Sequence, residues 1–162
     1  MVSSKKVVLL GHFGVGKSSI IRKFVNNEFS SDYKVSIGVH ILKKEVQLSN
    51  NDSVSIIIWD MEGTDSLTLI NKVYLLGTHS FIYVYDVTRP LTFKSLSQDI
   101  ISLKTRFPTS LIKTIGNKVD LLTDIEKEKH QVLFKINDYL SSAKTGENIE
   151  QLFQDIAIEL KH

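Results

Sequence analysis

The segment that most constrains this chain is Gly11 to Ser18, which reads GHFGVGKS between an apolar run and a helical pattern. Glycine at positions 11, 14 and 16 lets backbone N–H groups approach a phosphate, and the N-terminus of the following helix adds partial positive charge. Lys17 would reach the β- and γ-phosphates of a nucleotide and act in catalysis, while the Ser18 hydroxyl would bind Mg²⁺. The expected phosphate contacts are Gly14, Val15, Gly16, Lys17, Ser18 and Ser19.

Three further strings follow this phosphate loop in order: WDMEG at 59–63, GNKVD at 116–120 and SSAK at 141–144. The loop alone is moderately specific, because a glycine turn before an ordinary helix produces similar letters. The four strings in this order are hard to obtain by chance. Together they predict that the chain binds a guanine nucleotide.

The GNKVD string accounts for the choice of base. A carboxylate such as that of Asp120 accepts hydrogen bonds from N1–H and from the 2-amino group of guanine, whereas adenine offers neither donor. Asn117 is expected to fix the loop and the purine edge, and the Lys118 stem to cover one ring face. The remaining contacts are expected from the SSAK loop, where the Ala143 N–H would face guanine O6 and the flanking residues are Ser142 and Lys144.

The chain resembles the small GTPases of the Ras superfamily, in particular the Rab-like branch. Beyond the four strings, the likeness includes SIGVHI at 36–41, YVYDVTRPLTF at 83–93 and SAKTGENIEQLF at 142–153. It therefore extends over nearly the whole chain. The resemblance implies a molecular switch that binds GTP or GDP with Mg²⁺, hydrolyses GTP, and recruits protein effectors in the GTP state.

The resemblance also implies roles for two loops that respond to the nucleotide, switch I around Ser36 and switch II after Gly63. Phe29 would pack against the base, and Tyr33 would close over the phosphates. Ser36 would bind Mg²⁺ in the triphosphate state, Asp60 would hold the metal through water, and the Gly63 N–H would contact the γ-phosphate. Because the contacts from Ser36 and Gly63 are lost with the γ-phosphate, both loops relax after hydrolysis. Effectors and regulators are expected to bind through these loops.

Three departures from the family pattern concern hydrolysis. Thr64 stands where most members carry a glutamine that orients the attacking water, and its hydroxyl is too short to hold water in the same place. Phe13 replaces a small residue beside the γ-phosphate and would leave little room for an arginine finger from a partner. Glu62 replaces the usual alanine and is a candidate catalytic residue, whose carboxylate either positions water or faces solvent.

These departures leave two functions open. The first is a GTPase switch whose hydrolysis is slow without a partner. The second is a non-hydrolysing GTP-binding module, a pseudo-GTPase whose nucleotide serves as a structural cofactor. The release of phosphate in a single turnover separates the two.

Composition is typical of a compact cytoplasmic domain. With 162 residues and 42% hydrophobic content, the chain can bury one core, and residues 1–162 are expected to form a single small-GTPase domain. A formal charge of +2 is too small to indicate nucleic-acid binding. The sequence has no cysteine for prenylation or palmitoylation, and Val2 excludes N-myristoylation, so no intrinsic lipid anchor is expected.

Alternating strand and helix patterns predict an α/β fold with a mostly parallel sheet and helices on both faces, which suits a P-loop NTPase G domain. Ser49 to Asp52 reads as a hairpin turn, so one antiparallel edge strand is expected. The six predicted strands are Lys6–Leu10, Val39–Leu48, Val54–Asp60, Ser80–Asp86, Leu111–Asn117 and Asp138–Ser141.

Helical spacing of apolar residues predicts two core-facing helices, near 93–107 and 149–160. Between Asp120 and Ser142 only Glu126 to Phe134 could form a further helix, which is expected to be short or irregular. Switch II contains Leu67, Leu69 and Ile70, which form either part of the core or a partner-binding face.

Overall fold

The computed structural model describes residues 3–30, 38–49, 51–61, 63–64, 66–133 and 138–161. Its strands are β1 (Ser3–Leu10), β2 (Val39–Gln47), β3 (Ser53–Met61), β4 (Ser80–Asp86), β5 (Leu111–Asn117) and β6 (Tyr139–Leu140). Its α-helices are α1 (Lys17–Asn26), α2 (Lys72–Leu75), α3 (Leu96–Arg106), α4 (Asp124–Leu133) and α5 (Ile149–Lys161). Short 3₁₀ turns occupy Leu67–Leu69, Pro90–Thr92 and Val119–Leu121.

The strands form one sheet in the order β2-β3-β1-β4-β5-β6. Strand β2 runs antiparallel to β3, whereas the other neighbouring pairs are parallel. Next to the ends of β2 and β3 that face each other, the Leu48 N–H donates to the Asp52 carbonyl at 2.7 Å. The predicted α/β fold with one antiparallel edge strand is therefore confirmed.

The sheet is buried on both faces, which explains the uninterrupted apolar run at the end of β1. Val7 and Leu9 join a core with residues of α1 and α5, while Val8 and Leu10 join a second core with residues of α2 and α3. Phe24 of α1 and Phe153 of α5 stack in the first core with ring centroids 3.8 Å apart. Both predicted apolar stripes therefore face the sheet.

Helix α4 begins earlier than the sequence pattern predicts, at Asp124, and runs regularly to Leu133. Its start is fixed by reciprocal hydrogen bonds between Thr123 and Glu126. The Thr123 N–H donates to Glu126 Oε2 at 2.8 Å, and the Glu126 N–H donates to Thr123 Oγ1 at 3.3 Å. This capping box accounts for the regular first turn. Among the described helices, none is both long and apolar enough to span a bilayer.

Switch II contributes both to the core and to the surface. Leu67 and Ile70 are buried in the second core, whereas Leu69 is 75% exposed. The core interpretation therefore applies to Leu67 and Ile70, whereas Leu69 lies on the surface.

The four sequence strings lie at one edge of the sheet. They begin within or directly after β1, β3, β5 and β6. Because these strands are parallel, their carboxyl ends lie together along one side of the sheet, across the strand direction. This is the usual position of ligands in open α/β sheets. The fold thus brings together segments that are far apart in the sequence.

Candidate nucleotide-binding site

A cavity of about 420 Å³ lies at this edge of the sheet. The predicted site residues that line it are Gly14, Gly16, Lys17, Ser18, Ser19, Phe29, Gly63, Asn117, Lys118, Asp120, Ala143 and Lys144. Val15, Asp60 and Ser142 lie behind these residues and hydrogen-bond to them. Tyr33, Ser36 and Glu62 lie outside the described residues.

The phosphate loop requires glycine at two close approaches. At Gly16, φ is 100° and a Cβ would lie 2.3 Å from Asn117 Nδ2. At Gly11, φ is 148° and a Cβ would lie 2.2 Å from the Val84 carbonyl oxygen. A side chain at either position would be strained and would push the loop away from β4 or β5.

Lys17 begins α1 and places its ammonium group inside the phosphate loop. Nζ donates to the carbonyls of Gly11 at 3.0 Å and His12 at 3.1 Å. The residue is 6% exposed, and this burial lowers the pKa of Lys17 to about 8 although the nearby Asp60 carboxylate opposes the effect. An anionic ligand in the cavity would stabilise this buried cation.

Asn117 joins the phosphate loop to the SSAK loop. The residue is 1% exposed, its Nδ2 donates to the Val15 carbonyl at 3.0 Å, and its Oδ1 accepts the Ala143 N–H at 3.1 Å. The sequence predicts that this N–H faces guanine O6, whereas the structure gives it a protein acceptor. The two loops are therefore held in fixed relation to the end of β5.

Asp120 and Lys118 form one wall of the cavity. The Asp120 carboxylate accepts a hydrogen bond from Ser142 Oγ at 2.6 Å. Lys118 has a left-handed backbone conformation, and its Nζ donates to the Gly14 carbonyl at 2.7 Å. The same Nζ pairs with Asp86 Oδ2 at 2.7 Å. The Lys118 stem therefore runs along the cavity wall from β5 to the phosphate loop.

Ser18 and Asp60 place two oxygen atoms side by side at the predicted metal site. Ser18 Oγ donates to Asp60 Oδ2, and Asp60 is 4% exposed. Burial raises the pKa of Asp60, although the Ser18 hydrogen bond and the Lys17 charge act in the opposite direction. Hydroxyl and carboxylate oxygens fit Mg²⁺, which commonly takes its other ligands from water and substrate phosphates. The described ranges contain no cluster of three or more His, Cys, Asp or Glu side chains that could supply a complete protein cage.

Switch II starts against the phosphate loop. A Cβ on Gly63 would lie 2.7 Å from the backbone N and Cα of Phe13, so glycine is required by the close approach. The next N–H, from Thr64, donates to the Gly11 carbonyl at 3.3 Å. The Thr64 hydroxyl donates to the Ser66 carbonyl at 3.1 Å and accepts the Ser66 N–H at 3.3 Å. The Thr64 hydroxyl thus closes a local turn, and Thr64 is not among the described residues that line the cavity.

Comparison with known proteins identifies the family. The model of the Ras family matches residues 6–162 of the chain. The chain belongs to the Ras family. Small GTPases of this family bind guanine nucleotide with Mg²⁺ and act as switches.

Two relatives of this Ras-family protein carry the name Rab-1. The chain is 34% identical over 163 residues to the Ras-related protein Rab-1 of Theileria parva. This alignment covers 96% of this chain and 74% of that protein. The same identity and coverage hold for Rab-1 of Theileria annulata. The Ras-related protein YPTC6 of Chlamydomonas reinhardtii is 32% identical over 163 residues, 97% of this chain and 75% of that protein. The Rab-like resemblance is therefore confirmed.

The cavity of this Ras-family protein also includes residues that sequence reasoning missed, namely Arg22, Ser30, Met61 and Leu121. Arg22 Nη2 lies 3.4 Å from Ser19 Oγ. Arg22 follows Ser18 by four residues, so both lie on one face of α1. This spacing in the sequence could have predicted that Arg22 lies near the site. Isolated apolar residues such as Met61 and Leu121 carry no comparable signal.

The lowered pKa of Lys17 predicts a specific pH dependence of stability in protein stripped of nucleotide. The unfolded lysine binds its proton up to a pKa of 10.5, but the folded lysine only up to about 8. Between these values the unfolded state holds more protons, so the free energy of unfolding should rise with pH. Relative to Lys17→Met, the unmodified protein should gain about 3 kcal/mol across this window. Chemical denaturation at a series of pH values measures the difference.

Lys104→Met is the matched control, because Lys104 is exposed on α3. Its stability curve should run parallel to that of the unmodified protein. If the curve of Lys17→Met were also parallel to that of the unmodified protein, it would show that the pKa of Lys17 is not lowered.

Proposed function

We propose that this protein binds GTP or GDP together with Mg²⁺, hydrolyses GTP slowly and recruits protein effectors in the GTP state. The Asn117 bridge carries the proposal, because it holds the phosphate loop and the SSAK loop around one cavity. The volume of that cavity, about 420 Å³, is typical of small-molecule sites. Residues 1–162 would form a single domain around it.

Asp120 is the proposed reader of the base. Its carboxylate would accept the N1–H and 2-amino hydrogens of guanine, and the hydrogen bond from Ser142 supports its orientation. The Lys118 stem and the Phe29 ring would cover the two faces of the purine, since both side chains line the cavity. Ala143 and Lys144 would complete the base pocket.

The phosphates are proposed to lie over the N-terminus of α1. The backbone N–H groups of Gly14, Val15, Gly16 and Ser19 would contact phosphate oxygens, and Lys17 would supply the positive charge. Ser18 and Asp60, together with Ser36, would hold Mg²⁺. The bound metal would neutralise charge on the β- and γ-phosphates.

Slow hydrolysis follows from the surroundings of the γ-phosphate position. The Thr64 hydroxyl is engaged with the backbone of Ser66, which supports the view that it does not orient the attacking water. Phe13 lines the cavity and is 42% exposed, so its ring would leave little room for an arginine finger from a partner. Glu62 remains the alternative group for positioning water.

Effectors are proposed to bind a surface formed by β2, β3 and switch II. Ile41 pairs with Trp59 across the two strands, and the rings of Trp59 and Tyr74 lie 6.3 Å apart. Ile41 and Tyr74 are exposed, as are Leu69, Val73 and Leu76 of the switch II region. Contiguous apolar surface of this kind marks protein interaction sites.

A non-hydrolysing GTP-binding module is the second candidate function. The same observations on Thr64 and Phe13 favour it, because a site without a water-orienting group can retain GTP. Both candidates require the nucleotide site, so they differ only in turnover.

The first test is the identity of the bound nucleotide. The purified protein should carry GDP or GTP with Mg²⁺, because Lys17 and Asp60 are buried charges that a nucleotide and a metal would stabilise. Extraction with acid, chromatography of the nucleotide and elemental analysis for magnesium provide the measurement. An adenine nucleotide, or an empty site in protein that also fails to bind added GDP, would contradict the proposal.

The second test concerns hydrolysis. Turnover of GTP by the unmodified protein should be no faster than on the order of 10⁻⁴ s⁻¹, the intrinsic rate scale of Ras. The double change Phe13→Gly with Thr64→Gln should accelerate hydrolysis more than the two single changes combined, because each removes a different obstacle at one transition state. Single-turnover phosphate release from the four proteins measures the rates.

The affinity of each variant for GTP is measured separately, so that a change in rate is not confused with a change in binding. Fast hydrolysis by the unmodified protein would contradict slow turnover and would direct attention to Glu62. The complete absence of phosphate release would favour the non-hydrolysing module.

A further inference from the structure

Asp86, at the carboxyl end of β4, holds two cations next to the phosphate loop. Its side chain is 1% exposed, and its Oδ2 pairs with Lys118 Nζ at 2.7 Å and with Arg89 Nε at 3.2 Å. Its Oδ1 accepts the N–H of Thr88 at 2.9 Å and the Thr88 hydroxyl at 2.6 Å. Both carboxylate oxygens are therefore engaged, and the group is held in one orientation.

Each of the two cations also binds a carbonyl of the phosphate loop. Lys118 Nζ donates to the Gly14 carbonyl at 2.7 Å, and Arg89 Nη2 donates to the Phe13 carbonyl at 2.5 Å. These carbonyls belong to consecutive residues. Asp86 thus holds the side chains of Lys118 and Arg89, and each of these binds one of two adjacent peptide groups of the loop.

The backbone of Arg89 is restricted to an extended conformation by its neighbours in the chain. Pro90 follows it, and a residue before proline is restricted to extended conformations. Arg89 has φ −124° and ψ 94°, within the extended region, and the Thr92 hydroxyl donates to its carbonyl at 2.8 Å. Only the side chain remains to be ordered, so the contact costs less conformational entropy than on a mobile loop.

The orientation of residue 13 bears directly on phosphate binding. A phosphate loop works by pointing consecutive N–H groups at the ligand, and fixing the carbonyl of a residue fixes the peptide plane of the next N–H. The Lys17 ammonium, which is proposed to meet the terminal phosphates, contacts the carbonyls of Gly11 and His12 directly before residue 13. If Lys17 meets the terminal phosphates as proposed, this stretch of the loop would lie next to them.

We propose that Arg89 is a positioning residue that bridges Asp86 and the Phe13 carbonyl, holds the phosphate loop in the conformation that binds the β-phosphate, and thereby slows the release of GDP. The inference rests on the proposed function, because it presupposes guanine-nucleotide binding. In this proposal Arg89 acts on nucleotide binding through the phosphate loop, whereas the residues proposed above contact the phosphates directly.

The geometry requires arginine. Its planar guanidinium presents separate donors, so Nε can bind the carboxylate while Nη2 binds the carbonyl. A lysine has a single ammonium group on a flexible stem and would satisfy one partner well. Arg89 is 47% exposed, so solvent screening makes the expected effect modest.

The experiment measures the release of a fluorescent GDP derivative from the unmodified protein, Arg89→Ala, Arg89→Lys and Lys94→Ala. Lys94 is an exposed lysine between Arg89 and α3, so Lys94→Ala controls for the loss of one positive charge in that segment. Release from Arg89→Ala should be about fivefold faster, as expected for the loss of a partly exposed charged hydrogen bond. Arg89→Lys should be intermediate, and Lys94→Ala should match the unmodified protein.

Titration with GMP separates positioning from a general loss of structure. GMP has no β-phosphate, so its affinity should change less than about twofold in Arg89→Ala, whereas general disruption would weaken GMP and GDP alike. The thermal midpoint of each variant is recorded, and Arg89→Lys carries the test if Arg89→Ala does not fold.

Three results would overturn the inference: unchanged GDP release in the Ala variant, equal weakening of GMP and GDP, or a Lys variant identical to the unmodified protein. In each case the unmodified protein would still bind GDP, and the proposed function would stand. Failure of the unmodified protein to bind GDP would instead overturn both.

Discussion

The buried side-chain amide of Asn117 donates to the Val15 carbonyl and accepts the Ala143 N–H, so the end of β5 holds two separate loops. Gly16 is required by the same interaction, because a Cβ there would collide with Asn117 Nδ2. Loss of the amide would leave buried polar groups of both loops without their partner, at a cost of about 1–3 kcal/mol for each group. Asn117 therefore fixes the phosphate loop relative to the SSAK loop.

Charge distribution around the cavity complements this geometry. Lys17 is a buried cation whose pKa is lowered by desolvation, and Asp60 is a buried carboxylate whose pKa is raised for the same reason. Burial alone would also raise the pKa of Asp86, but hydrogen bonds from Lys118 and Thr88 outweigh it and hold that pKa below its usual range. The Asp86 group is thus satisfied within the protein. By contrast, an anionic nucleotide would stabilise the charged form of Lys17, and a divalent metal would stabilise the charged form of Asp60.

The sequence predicted the fold well, because the fold depends on patterns that are local. Alternating strand and helix patterns identified the sheet, and the four strings identified the loops at one edge of it. The start of α4 could also have been predicted, since Thr123 and Glu126 have the spacing of a capping box.

Other features depend on contacts that no local pattern encodes. Arg89 lies 76 residues from Phe13 in the chain, and its role follows only from the approach of the β4–α3 connection to the phosphate loop. The engagement of the Thr64 hydroxyl with Ser66 competes with a catalytic role, and a sequence does not distinguish these alternatives in a loop rich in hydroxyl residues.

Selection of guanine by Asp120 is the central claim, and the most direct measurement compares GDP with xanthosine diphosphate in a competition titration. Asp120→Asn should weaken GDP binding and favour the xanthine nucleotide, because the amide can donate to the 2-oxo group that replaces the 2-amino donor. Asp124→Asn makes the same chemical change at an exposed position of α4 and should retain the preference for GDP. An unchanged preference for GDP in Asp120→Asn would show that another group reads the base.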